Sequence, residues 1–141
     1  MPAPQTHSIT LPAGMLQRGF WIYVWRAIDA EGSQWLYIGR TGDNSSPYAA
    51  PPYQRMGQHL SHQATTSALR SRLRDKGVDV DACQSFEMIS YGPVYVEVPR
   101  PDNYRYEDKE TRSALFQKHK PLARHVITCV NHAIIPRIRT R

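Results

Sequence analysis

The stretch that most constrains this chain runs from Phe20 to Thr41, FWIYVWRAIDAEGSQWLYIGRT. Phe20 to Ile28 is aromatic and β-branched, and Gln34 to Arg40 is a shorter run ending in Tyr37-Ile38-Gly39. Asp29, Glu31, Gly32 and Ser33 between them are turn residues, so the pattern predicts a β-hairpin. Side chains alternate across a strand, so Trp21, Tyr23 and Trp25 share one face, and Trp35, Tyr37 and Gly39 share a face of the return strand. Pairing Trp25 with Trp35 puts Tyr23 opposite Tyr37 and Trp21 opposite Gly39. That register offers two phenols beside a bare glycine, where a ligand backbone has room to approach.

Around the hairpin the pattern predicts a loose arm over 1–17, then a long Gly, Ser and Pro-rich loop over Thr41–Pro52. A short helix follows at Tyr53–His62, with Arg55 and His59 on one face. A second helix is expected over Thr66–Lys76, capped by Thr65 or Thr66 and stopped by Gly77. Alternation predicts a strand at Gln84–Tyr91, then a proline-bearing loop over Gly92–Asn103 with a short extended piece at Val94–Val98. A third helix is expected from Tyr104 to Lys120, ended by Pro121. The β-branched run His125–Val130 reads as extended, and the tail Ile134–Arg141 is too short to stand alone. The expected organisation is one domain over 18–133, with a basic tail over 134–141.

The net charge is +6, which points to a polyanion as partner, nucleic acid before an anionic membrane. The basic residues gather at Arg70, Arg72, Arg74 and Lys76, again between Arg105 and Arg124, and finally at Arg137, Arg139 and Arg141. Arg70 and Arg74 are the expected backbone contacts of the first group. No apolar run approaches the ~20 residues needed to span a bilayer, and the first residues lack a secretory pattern. A cytoplasmic protein without a membrane partner is the expectation. Cys83 and Cys129 have no metal-binding spacing.

Trp21-Ile22-Tyr23 followed by Tyr37-Ile38-Gly39 resembles the two half-motifs of the GIY-YIG nucleases, small metal-dependent DNA-cutting domains. Arg40 matches the basic residue after the second half-motif. Arg55 and His59 match the helical arginine and the residue one turn later. Glu110 is the candidate for the metal-binding glutamate, with Glu107 as alternate, and Asn131 for the closing asparagine. The resemblance covers residues 20–131 in order. It departs from the family pattern at Trp21, which stands in the place of a glycine, and after Pro121, where Arg124 replaces the usual asparagine. Counting back from Pro121 places the glutamate at Arg112, so either the helix extends differently or the metal site is lost.

The resemblance implies an α/β (α+β) domain with a small central antiparallel sheet flanked by helices. It implies a DNA endonuclease using one Mg²⁺, or Mn²⁺ in its place, that leaves a 5′-phosphate on double-stranded DNA. The alternative is a non-catalytic nucleic-acid-binding module of the same fold. Tyr23 or Tyr37 would activate the water, because a cation such as Arg40 can lower a phenol's pKa from its reference near 10. Arg55 suits the scissile phosphate, since its planar fork pairs two oxygens. His59 would relay a proton or touch phosphate, and Glu110 would hold the metal. Gly39 and Asn131 would lie against the substrate. Specificity would come from the chain's own loops, a second copy or a partner protein.

Overall fold

The computed structural model describes residues 2–42, 49–63, 67–131 and 138–140. The hairpin forms as strands β1, Gly19–Ile28, and β2, Gln34–Arg40. One side chain organises its turn. Asp29 Oδ1 accepts the backbone N–H groups of Glu31 at 3.0 Å and Ser33 at 2.8 Å, and Oδ2 accepts Trp35 Nε1 at 2.9 Å. Gly32 takes φ +86°, where a Cβ would be strained.

The sheet is antiparallel in the order β3-β1-β2-β4. Strand β3, Ser85–Val96, runs well past the expected end at Tyr91, through Gly92 and Pro93. It is an edge strand, where proline's missing N–H need not serve the ladder. The last strand, β4, Ile138–Thr140, pairs with Trp35–Tyr37 of β2. The tail therefore needs no independent stability, because it borrows the free edge of the hairpin. Fold and sheet type are those expected, a small α+β domain built on an antiparallel sheet.

The hairpin register differs from expectation by two residues: Tyr23 pairs with Gly39, Trp25 with Tyr37, and Ala27 with Trp35. A two-residue shift keeps every side chain on its expected face but changes its neighbours. Asp29 sets this register, since its clasp on Ser33 and Trp35 fixes the turn length.

Helices α1, Pro52–Leu60, and α2, Ala68–Asp75, cover one face. Leu69 and Leu73 of α2 pack on Tyr23, Trp25 and Ala27, with Met56 and Leu60 of α1 alongside. Helix α2 starts after Ser67, and the expected caps Thr65 and Thr66 lie outside the described residues. Gly77 follows the helix with φ +77°, as its stop signal implies.

Helix α3, Lys109–Asn131, begins later than expected and runs through Pro121. Its buried stripe is Leu115, His119, Ala123 and Val126, spaced for one helical face. Phe20 packs on this stripe, with its ring 4.7 Å from that of His119. An internal proline costs about 3 kcal/mol in an isolated helix. Here Pro121 is exposed while the stripe on both sides of it is buried, and that burial outweighs the loss. The same packing makes the β-branched run after His125 helical, since propensity is the weaker term. Arg18 and Glu97 form a two-pronged ion pair at 2.7 Å, and Glu97 also accepts Ala49 N–H at 3.1 Å. The expected arm carries a 3₁₀ turn at Ala13–Leu16. Among the described residues no helix is long and apolar enough to cross a membrane.

Candidate active site

Tyr23 stands at the middle of β1, 3% exposed, with Gly39 opposite on β2 and Ser90 opposite on β3. Its ring lies over Gly39, so a Cβ at that position would collide with the ring. This corrects the expected role of Gly39: the space is filled by the chain's own phenol, not held open for a ligand.

His59 reaches down from α1 and is 6% exposed. Its ring meets three aromatics edge-on, with centroids 5.4 Å from Tyr23, 5.5 Å from Tyr37 and 6.3 Å from Trp25. Tyr23 Oη and His59 Nε2 are 2.5 Å apart in a buried hydrogen bond. Burial, and next the neighbouring Tyr37, push the Tyr23 phenol well above its ordinary value, although Arg55 and Arg40 pull it the other way. Arg40 thus eases ionisation of Tyr23 as expected, but desolvation outweighs both guanidinium groups and leaves the phenol neutral. Burial, and then the Arg55 charge, hold His59 down to about 4. At neutral pH the pair is a phenol and a neutral imidazole. The phenol is the stronger acid, so it donates to Nε2 and leaves the imidazole N–H on Nδ1.

Arg55 lies one turn before His59 on α1, and its Nη1 donates to Gln58 Oε1 at 3.1 Å. Its Nε and His59 Nδ1 are both buried and have no hydrogen-bond partner among the described residues. Arg40, at the end of β2, donates to the carbonyl of Gly42. Sheet and α1 thus bring Tyr23, Tyr37, Arg40, Arg55 and His59 together.

The support for α1 comes from α2. Ser67 Oγ donates to the carbonyl of His59, and Arg70 Nη2 donates to that of Leu60 at 2.9 Å. These bonds satisfy C-terminal carbonyls that a helix leaves without internal partners. Arg70 also pairs with Asp81 at 3.2 Å. Its guanidinium is committed to holding α1, which corrects the expectation of an outward substrate contact. Arg74 is exposed. Sequence reasoning missed Ser67 and Gln58; the spacing Arg55-x-x-Gln58 was a visible signal for the second.

The acidic residues before α3 lie apart from this cluster. Glu107 precedes the helix in an exposed turn, and Glu110 is exposed in the first turn, its N–H donated to Asp108 Oδ1 at 2.9 Å. Asp108 thereby acts as the helix N-cap. Ala114, on the same side of the helix as Glu110, is exposed too. Arg112 instead lies three residues before Leu115 and seven before His119, on the inward stripe and half-buried. Its Nη1 donates to the carbonyl of Tyr106 at 2.9 Å, and its guanidinium lies 5.7 Å from the Tyr106 ring centre. Asn131 is the last residue of α3, and its side chain lies outside the described residues.

Among the described residues no three His, Cys, Asp or Glu side chains converge. Mg²⁺ prefers carboxylate and water oxygens, whereas this cluster offers phenols and an imidazole beside two guanidinium groups. The described donors do not fit that ion. What they fit is an oxyanion, with buried N–H groups and positive charge to receive it. Compared with protein-family models, curated proteins and solved structures, the chain matches none.

Proposed function

We propose that the chain acts on nucleic acid as a DNA endonuclease, with the Tyr23–Tyr37–Arg40–Arg55–His59 cluster receiving the scissile phosphodiester. The observation that carries this reading is the buried Tyr23–His59 bond beside Arg55, whose Nε and the neighbouring imidazole Nδ1 lack an acceptor among the described residues. A phosphate oxygen satisfies both donors, and its charge balances Arg55. The net charge of +6 supports a polyanionic partner.

In this reading water attacks phosphorus and gives a proton to Tyr23 Oη as Tyr23 passes its own to His59 Nε2. The bond to the sugar oxygen breaks, and solvent protonates the departing alkoxide. Burial and Arg55 make His59 a weak acceptor in the free protein. A bound phosphate offsets the Arg55 field and strengthens it. Specificity would come from the chain's loops, a second copy or a partner.

A second reading, a binding module that does not cut, is favoured by one observation: Arg112 holds the inward stripe of α3 while Glu110 is exposed. Supercoiled plasmid incubated with the protein, in Mg²⁺ and separately in EDTA, tests the choice. Nicking that Tyr23→Phe abolishes supports the endonuclease. DNA binding without nicking in either buffer supports the module.

A further inference from the structure

Helix α1 serves the cluster with one side and leaves the other uncovered. Met56, His59 and Leu60 pack toward the sheet and α2, whereas Tyr53, Gln54 and Gly57 are exposed. A spacing of four sets Tyr53 over Gly57 and Gln54 over Gln58, on adjoining lines of one face. These four residues line one open concavity.

Tyr53 stands there as a large aromatic with 44% of its surface exposed. Its hydroxyl and the Gln54 side-chain amide make no hydrogen bond with the described residues. Gly57 lies inside the helix without a positive φ, and nothing among the described residues comes within 4 Å of a Cβ built on it. Glycine weakens a helix relative to alanine, and neither backbone strain nor crowding requires it here. Close approach of a ligand to the backbone is the remaining use for such a residue.

One side chain joins the concavity to the cluster. Gln58 lines the concavity, and its Oε1 accepts Arg55 Nη1 at 3.1 Å. A group seated over Gly57 is therefore next to whatever Arg55 holds. Helix α1 has no acidic residue to repel a phosphate at that join.

We infer that this face takes one unpaired nucleobase beside the phosphate at Arg55, so that the substrate class is DNA with an unstacked nucleotide next to the scissile bond. This rests on the nucleic-acid reading above. The base lies over Gly57 with its face against the Tyr53 ring, and the amides of Gln54 and Gln58 meet donors and acceptors on its edge. A paired base is stacked within the duplex and does not present its face in this way.

Fluorescence anisotropy at fixed salt tests this on three labelled DNA duplexes: one fully paired, one with a bulged adenine, and one with an abasic residue in the bulge. The intact chain should bind the bulged adenine about tenfold more tightly than either of the others. Tyr53→Ala should remove that preference and Tyr53→Phe keep it. Gly57→Leu, a stronger helix former, should raise the unfolding midpoint yet also remove the preference, because it fills the concavity. Equal affinity for the bulged and paired duplexes overturns the base site and leaves the nucleic-acid reading in place. A preference that extends to the abasic bulge, or that survives in folded Tyr53→Ala or Gly57→Leu protein, overturns the base site as well. Absence of binding to all three duplexes overturns the nucleic-acid reading itself.

Discussion

Tyr23 lies directly opposite Gly39, and its ring occupies the volume that any side chain at Gly39 would need. The phenol is aimed at His59 because β2 gives way beneath it. A glycine that looks like room for a ligand is part of the mounting of the site.

Gly39→Ala should therefore displace Tyr23 and loosen its bond to His59. Overpacking of this kind costs about 1–3 kcal/mol. Urea unfolding of the two proteins measures the loss. An unchanged midpoint would show that the ring moves aside without cost.

Asp29 links the turn to Trp35. The Trp35 indole N–H, with the turn N–H groups, holds the Asp29 carboxyl below its ordinary value. The folded state prefers the carboxylate, so this stabilisation is present above the unfolded pKa of about 3.9 and is lost as pH falls through the lower folded value. The melting-temperature gap between wild type and Asp29→Asn should be widest above that range and shrink in stronger acid. A gap that does not change with pH would remove the carboxylate from the account.

Arg70 and Arg74 sit one turn apart on α2 yet have different work. Arg70→Ala removes a charged bond to the Leu60 carbonyl and should cost about 1.5–3 kcal/mol. Arg74→Ala should stay within about 0.5 kcal/mol. Equal losses in denaturant unfolding would contradict the role of Arg70 as a clamp on α1.

His59 is held neutral by burial and by Arg55, with its pKa lowered to about 4. The unfolded chain takes up the proton first, near 6.5. Stability from this group is thus complete above that value and declines as pH falls toward the folded value, with a slope approaching about 1.4 kcal/mol per pH unit. The difference in unfolding free energy between wild type and His59→Gln, followed from neutral pH downward, isolates it. A difference independent of pH would mean that His59 titrates as it does when exposed.

The hairpin was legible because alternation, turn residues and aromatic content all agree at Phe20–Thr41. The pairing of Arg55 with His59 was legible because a spacing of four fixes one helix face. The register was not, since Trp25 opposite Trp35 and Trp25 opposite Tyr37 obey the same alternation; only the Asp29 clasp separates them. Helix α3 was misjudged at both ends for a tertiary reason. Burial on Phe20 carries it past Pro121, and the Asp108 cap starts it after Glu107. That late start removes Glu107 from the helix, and it is the buried stripe that turns Arg112 inward.

The central claim is that a phosphodiester seats on Arg55 and His59. The most direct measurement is nitrogen-15 NMR of the Arg55 side chain and the His59 ring during titration with a short DNA duplex at neutral pH. Arg55 Nε–H and His59 Nδ1–H should both shift toward stronger hydrogen bonding and saturate together with binding. Saturable DNA binding that moves the exposed basic residues of α2 but leaves Arg55 Nε and His59 Nδ1 unmoved would contradict it.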